Sequence, residues 1–382
     1  MFIFGDCHIG SNRRNKWLYK KAIDVWENMV MEVAKNPDNY HSTIVFAGDL
    51  WDSDRPTPKD FMVVKNVIDG ITGGYNEYLN MVMIPGNHDR VGLDGFCAAD
   101  VFSDDWEIGS DKKNIVVFDK PFSEWTEYDK ATGKKIQYYF LPYSADILEK
   151  LQEISNEAKE YIIKNPDDAT VLVSHFTTKE MNPFAGIISE YENVFNPFDL
   201  VILGDCHICY DSGKFHTTGS TYMFNVDEMN SKKCIPSYLQ VDGLDVKRVT
   251  FPELKPKIID TEDEAVDDNQ LYLIVSPEVI NVSKPNVFVK YKLNKDKEDS
   301  VELNETVEIK SINKDRVFEI MYPDLDESER RLIKMFANYE IEIQDVINNE
   351  PMLVVDRTNQ LTEVELEAEL EGMLSEEEFF NV

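Results

Sequence analysis

Cysteine, basic residues and long apolar runs are all scarce in this chain of 382 residues. Five cysteines, an odd number, do not make a disulfide framework, and a reducing, cytoplasmic setting is expected. No apolar run approaches the ~20 residues that span a bilayer, so the sequence predicts a soluble protein with no membrane partner. The first residues lack the cationic start of a secretory leader. Lys and Arg number 39 against 72 Asp and Glu, for a formal net charge of −33. Residues 261–382 hold 12 basic and 31 acidic residues, and the first 260 hold 27 and 41, so both parts are acidic. Phosphate binding normally draws on Lys and Arg. Any attraction for phosphate must therefore come largely from metal ions or from a basic partner.

Apolar residues make up 42% and aromatic residues 11%, which suffices for a large core and two or three domains. Apolar residues recur at helical spacing over Trp17 to Ala34, Lys59 to Ile71 and Asp146 to Ile163. Short, buried-type strands are expected at Thr43 to Ala47, Asn80 to Ile84, Asn114 to Phe118, Ile136 to Leu141, Ala169 to Ser174, Asp199 to Leu203 and Lys214 to Thr218. Two more are expected within Ser237 to Phe251. Alternating strands and helices followed by a run of strands predict a layered α/β sandwich. Pro252 to Pro256 is a candidate boundary. Beyond it, Leu271 to Val275, Val287 to Leu293 and Val307 to Ile312 read as strands, and Leu325 to Tyr339 has a helical period. From Leu361 the tail holds eight Glu and no Lys or Arg. These shifts divide the chain into 1–255, 265–322 and 323–382.

Five strand ends carry chemistry. They are Asp6-Cys7-His8, Gly48-Asp49, Gly86-Asn87-His88-Asp89, Ser174-His175 and Gly204-Asp205-Cys206-His207. Sites at the carboxyl ends of strands follow the general rule for such sheets. Hydrolysis of a phosphoester needs a neutralised phosphate, a strong nucleophile and a proton for the leaving group. Two metal ions roughly 3.5–4 Å apart meet the first two needs. A mixed Asp, His and Asn shell suits Mn²⁺, Fe²⁺ or Zn²⁺ better than Mg²⁺ or Ca²⁺.

The series D-x-H, G-D-x-x-D, G-N-H-D, a lone strand-end His and G-x-x-H resembles the calcineurin-like metallophosphoesterase superfamily over about residues 1–225. Within it, Gly48-Asp49-Leu50-Trp51-Asp52, the strand-end G-x-x-H and Gly219-Ser220 resemble the SbcD-type nuclease subunit, including phage recombination-endonuclease relatives. This subunit cuts DNA at double-strand breaks with an SMC-like, SbcC-type ATPase. The resemblance implies a four-layer α/β/β/α sandwich with a smaller α+β capping domain at 265–322 and a helical, partner-binding region with an acidic tail at 323–382. It implies two divalent metals, most often Mn²⁺, a homodimer, a DNA substrate and a cytoplasmic location, that of the host if the chain is phage-encoded. Carried over by position, Asp6, His8 and His207 bind one metal, Asp49 bridges, and Asn87, His175 and Asp205 bind the other. His88 protonates the leaving group, with Asp89 supporting it. Where the family has G-H-x-H, this chain has Asp205 in place of the first histidine.

Around this set, Asn12, Arg13 and Arg14 are candidate contacts for substrate phosphates, and equally a solvated loop. Cys206 and Cys209 are better read as small hydrophobes beneath the metal loops than as a redox pair. Asp52 reads as a helix cap, and His41 and His216 as ordinary polar residues. Two other functions stay open: a small-molecule phosphodiesterase or phosphatase of the same fold, and an adaptor with a weakened site, for which Asp205 is the clue.

Overall fold

A computed structural model describes residues 1–39, 42–71, 79–90, 97–102, 115–129, 132–277 and 280–291. Met1–Asp296 forms one compact unit, and Lys297–Val382 forms a second that lies outside the described residues. The expected strand Val307 to Ile312, the helix Leu325 to Tyr339, the acidic tail and His41 fall outside the described residues too. No helix among the described residues is long and apolar enough to cross a membrane.

The first sheet begins with β1 (Phe2–Phe4), followed by helix α1 (Lys16–Lys35), β2 (Thr43–Ala47), α2 (Pro58–Gly70), β3 (Asn80–Ile84) and β4 (Ile115–Val117). Asn15 caps α1 by accepting from the N–H groups of Trp17 and Leu18. Thr57 and Asp60 form a reciprocal capping box at α2, with Pro58 at the first helical position. The second sheet follows with β5 (Phe122–Tyr128), β6 (Lys135–Leu141), α3 (Ile147–Lys164), β7 (Ala169–His175), β8 (Leu200–Gly204), β9 (Asp211–Ser212) and β10 (Phe215–Thr217). A short helix α4 (Val226–Asn230) precedes β11 (Ser237–Asp242) and β12 (Asp245–Thr250), which return to the first sheet. The two six-stranded orders are β12-β11-β1-β2-β3-β4 and β5-β6-β7-β8-β10-β9.

Successive strand residues point to opposite faces, and the cores follow that alternation. Phe4 and Phe46 pack with Trp26, Met29 and Val30 of α1. Ile3, Val45 and Ala47 pack instead with Tyr138, Phe140, Val173 and Ile202 of the second sheet. Leu141, Leu172 and Leu203 pack with Leu151, Ile154 and Ala158 of α3. Burial of each large side chain contributes roughly 1.5–3 kcal/mol. Strands buried on both faces are near-continuous apolar runs, which is why β2, β3, β7 and β8 were readable within a residue or two of their observed ends.

Two elements escape that reading. Strand β5 pairs antiparallel with β6, but its register shifts between Phe122 and Trp125, which destroys the period-two signal. Helix α4 is five residues long, too short to show a period. A third sheet of parallel strands, β13 (Lys257–Ile259), β14 (Tyr272–Ser276) and β15 (Val287–Tyr291), follows Pro252. Leu271 and Leu273 share the core of α1, and Trp17 Nε1 donates to the Asp268 carbonyl.

Candidate metal centre

Strands β1, β2 and β3 are parallel, as are β7 and β8, so their carboxyl ends deliver the expected residues to one place. The loops are joined by backbone bonds: the N–H groups of Cys7 and His8 donate to the Asp49 carbonyl at 2.9 Å, and that of Ile9 donates to Leu50. Trp51 anchors the second loop. It is fully buried and stacks with Phe61 and Phe102.

The backbone at the centre is strained. Asp6, His8, Asn12, Asp49 and Asp205 are the described non-glycine residues in the left-handed region, at φ of 44–68°. Each costs about 1–2 kcal/mol. Four of the five are sequence-predicted metal ligands, consistent with strain held in place by a functional constraint. Two motif glycines make the close packing possible. A Cβ on Gly48, at φ +85°, would lie 2.0 Å from His175 Nδ1, and one on Gly86 would lie 2.1 Å from Asp49 Oδ1.

Three overlapping groups, each with ligand atoms within 4.8 Å of one another, form the centre: Asp6, His8 and His207; His8, Asp49 and His88; Asp6, Asp49 and His175. Asn87 joins them, its Oδ1 lying 3.1 Å from His175 Nε2. Asp6, His8, Asp49 and His175 are buried, whereas Asn87 and His88 are exposed at the mouth.

The hydrogen bonds assign the lone pairs. His175 Nδ1 donates to the Ala47 carbonyl at 2.9 Å, so its Nε2 lone pair faces Asn87 Oδ1 and, at 3.4 Å, Asp49 Oδ2. His207 Nδ1 donates to Glu228 Oε1 at 2.9 Å, so its Nε2 lone pair faces Asp6 Oδ1 at 3.4 Å and His8 Nε2 at 3.1 Å. Asp6 Oδ1 is buried with no hydrogen-bond partner. Acceptors turned on acceptors in a buried space are costly unless a cation lies between them. The donor set therefore fits divalent metal ions, with Asp49 common to two of the three groups.

The charges agree. Burial alone would raise the Asp49 carboxyl, but the imidazoles of His175, His8 and His88 hold it well below the usual carboxylate range. Burial favours neutral rings at His175 and His207. It is outweighed by Asp49, Asp6 and Asp205 around His175, and by Asp6 and Glu228 around His207, so both imidazoles are raised well above their ordinary range.

His88 stands over His8, with ring centroids 5.0 Å apart. Its Nδ1 lies 3.0 Å from the Asp52 carbonyl, which leaves Nε2 for the substrate side. Asp89 acts on the loop rather than on that ring. Its oxygens accept from the N–H groups of Gly86, Leu50 and Trp51, because a buried carboxylate takes the orphan donors nearest to it. Asp205 lies outside the three groups, and its Oδ2 accepts from the Thr177 hydroxyl at 2.6 Å. Asn12 donates to the Phe224 carbonyl, Arg13 pairs with buried Asp60, and Arg14 is exposed.

Several contributing residues were missed. Glu228 orients His207, and Asn225 followed three residues later by Glu228 was its only signal, a helix-start pattern without an apolar run behind it. Asp52 does not cap α2, a role taken by Thr57. Its Oδ1 lies 3.3 Å from His8 Nδ1. Phe224 packs edge-on to His8 and His207. The described cysteines are all free. Cys206 lies in the α3 core, and burial raises its thiol to about 12.

Residues 2–209 match the family described as calcineurin-like phosphoesterase. Among solved structures, the chain is similar to a dimetal phosphatase from Danio rerio. The two are 11% identical with a TM-score of 0.38, covering 65% of this chain and 98% of that one. It is also similar to a protein of unknown function from Aquifex aeolicus, 15% identical with a TM-score of 0.24, covering 46% and 80%. A comparison with curated proteins gives no match.

Proposed function

The chain belongs to the calcineurin-like phosphoesterase family, and from that premise we propose that it is a Mn²⁺-dependent DNA exonuclease and endonuclease. It would be the nuclease subunit of a recombination and repair complex of the SbcC–SbcD type. The observation that carries the hydrolytic reading is the buried Asp/His centre with one exposed imidazole, His88, at its mouth. When bound, the metal pair supplies neutralisation of the phosphate and activation of the attacking water. Asp6, His8 and His207 would hold one ion, Asn87 and His175 the other, with Asp49 between them and Asp205 at the edge of the second. The mixed nitrogen and oxygen donors favour Mn²⁺, with Mg²⁺, Fe²⁺ or Zn²⁺ as substitutes.

The chain's own groups divide the remaining work. Asn87 and His88 reach solvent and so meet the phosphodiester. His88 is oriented through its Nδ1 by the Asp52 carbonyl, and its Nε2 delivers the proton to the leaving oxygen. Glu228 fixes the His207 ring so that Nε2 faces the centre. DNA as substrate rests on the resemblance of residues 48–52 and Gly219-Ser220 to the SbcD type. A second copy of the chain and an SMC-like ATPase would complete the assembly, with residues 265–322 capping the four-layer nuclease domain and 323–382 contacting the ATPase.

The test is Mn²⁺-dependent cleavage of blunt and single-stranded DNA, lost in His88→Ala. Strong metal binding without DNA cleavage, alone or with the ATPase, would sink the nuclease reading. Turnover of a bis-aryl phosphate far above that of DNA would favour a small-molecule phosphodiesterase. The position of Asp205 against Thr177, outside the three metal groups, favours one further reading, an adaptor with a weakened site. An empty or single-metal site in the purified protein would support it.

A further inference from the structure

A cavity of about 510 Å³ opens between the first turns of α1 and α2, beside the metal loop but apart from the metal ligands. Its lining includes Arg13, Lys16, Lys20 and Lys59. Such a gathering of cations stands out in a chain of net charge −33. The floor is organised by Asp60, which is fully buried. Asp60 accepts from Arg13 Nη2 at 2.7 Å, from the Tyr19 hydroxyl at 2.7 Å and from the Thr57 hydroxyl at 2.5 Å. Lys59 Nζ sits 4.4 Å from the centre of the Tyr19 ring. Lys20 is paired with Asp24. Setting Asp60 and Asp24 against the four cations leaves a surplus of two positive charges.

Two further features favour an anion there. The first turns of both helices line the cavity, so the positive ends of two helix dipoles add to the side chains. The cavity is also continuous with the active loop. Gly10, two residues past His8, lies against the Arg13–Asp60 pair, where a Cβ would come within 2.8 Å of Arg13 Nη2. A strand crossing the metal centre would bring a neighbouring phosphate to this place.

We propose that the cavity between α1 and α2 is a docking site for a backbone phosphate of the nucleic-acid substrate away from the bond being cut, with Lys16 and Lys59 as its principal contacts. The assignment rests on the reading of the substrate as DNA. Arg13 steers the rim, but its charge is largely committed to Asp60. It is a poor site for mutation, since its removal would strand a buried carboxylate.

The experiment measures binding of a fluorescent phosphorothioate duplex to the Mn²⁺-loaded full chain across a salt series. It compares the unmodified protein, the Lys16→Glu/Lys59→Glu variant and a control, Lys164→Glu, on the exposed end of α3. The double variant should bind several-fold more weakly at about 0.1 M salt, and its slope of log affinity against log salt should fall by about 0.9 for each lysine lost. The control, altering net charge elsewhere, should keep the slope. Equal behaviour of the double variant and the control, or no duplex binding by the unmodified protein, overturns the proposal. The two readings fail separately. Cleavage of ordinary duplex with an unchanged slope in the double variant sinks the docking site alone. Cavity-dependent binding without cleavage supports the docking site and sinks the nuclease.

Discussion

Removal of the Glu228 carboxylate probes the centre without touching a ligand. Glu228 Oε1 accepts from His207 Nδ1 at 2.9 Å, and Oε2 accepts from the Phe224 N–H at 2.7 Å. In Glu228→Ala, the Nδ1 proton loses its acceptor, and the tautomer that aims Nε2 at Asp6 and His8 loses its support. Partners of this kind are worth 10- to 100-fold in metal affinity as a rule, or about 1.4–2.7 kcal/mol at 1.4 kcal/mol per tenfold. The fold should survive, because Lys255 Nζ binds the carbonyls of Glu228, Met229, Ser231 and Cys234 and holds the end of α4. Glu228→Gln keeps an acceptor oxygen but no charge and should fall near the lower end of that range. The assay is calorimetric titration of Mn²⁺ into metal-free protein, with far-ultraviolet circular dichroism as the folding control. Only one of the two binding events should weaken, since Glu228 touches His207 and not His175. Unchanged affinity in both events, with the fold intact, would refute the role given to Glu228.

Three other outcomes follow from the same geometry. His88→Ala should lower turnover of a phosphodiester by about 10²–10⁴-fold, the usual worth of a positioned general acid, while calorimetry still finds metal bound; a loss of metal alone would make His88 a ligand and not an acid. Gly48→Ala should cost at least ~1–2 kcal/mol from its left-handed backbone and also push on His175, so thermal unfolding should shift down and one metal equivalent should be lost. In the metal-free fold His175 and His207 hold protons more tightly than in the unfolded chain. That stabilisation is complete below the ordinary histidine value of about 6.5 and fades as pH rises through the raised folded values. Metal must displace those protons, so affinity should climb with pH across that window; binding enthalpies that do not vary with the buffer's ionisation enthalpy would count against it.

How much was legible in the sequence follows from where each signal lives. Strands β2, β3, β7 and β8 are buried on both faces, and their apolar runs end at the residues that reach the centre, so strand and site were read together. Asp6, His8, Asp49, Asn87, His175 and His207 were found because each sits at such an end. The parts not read are made by other means. The bulge in β5 erased its period, and α4 was too short to have one. The Ala47 carbonyl that orients His175 has no side chain to notice. Asp52 looked like a helix cap because it precedes α2, yet Thr57 is nearer the first turn and takes that place. Asp89 looked like a prop for its neighbour His88, but three unpaired backbone N–H groups claim its oxygens.

The central claim is a two-metal centre that hydrolyses phosphodiesters, and the most direct measurement is a Mn²⁺ titration of DNA hydrolysis by the metal-free full-length chain. The account predicts no turnover without metal and a rise that saturates at two equivalents per chain. Saturation at one equivalent, or no hydrolysis at any Mn²⁺ concentration with the protein folded, would contradict it.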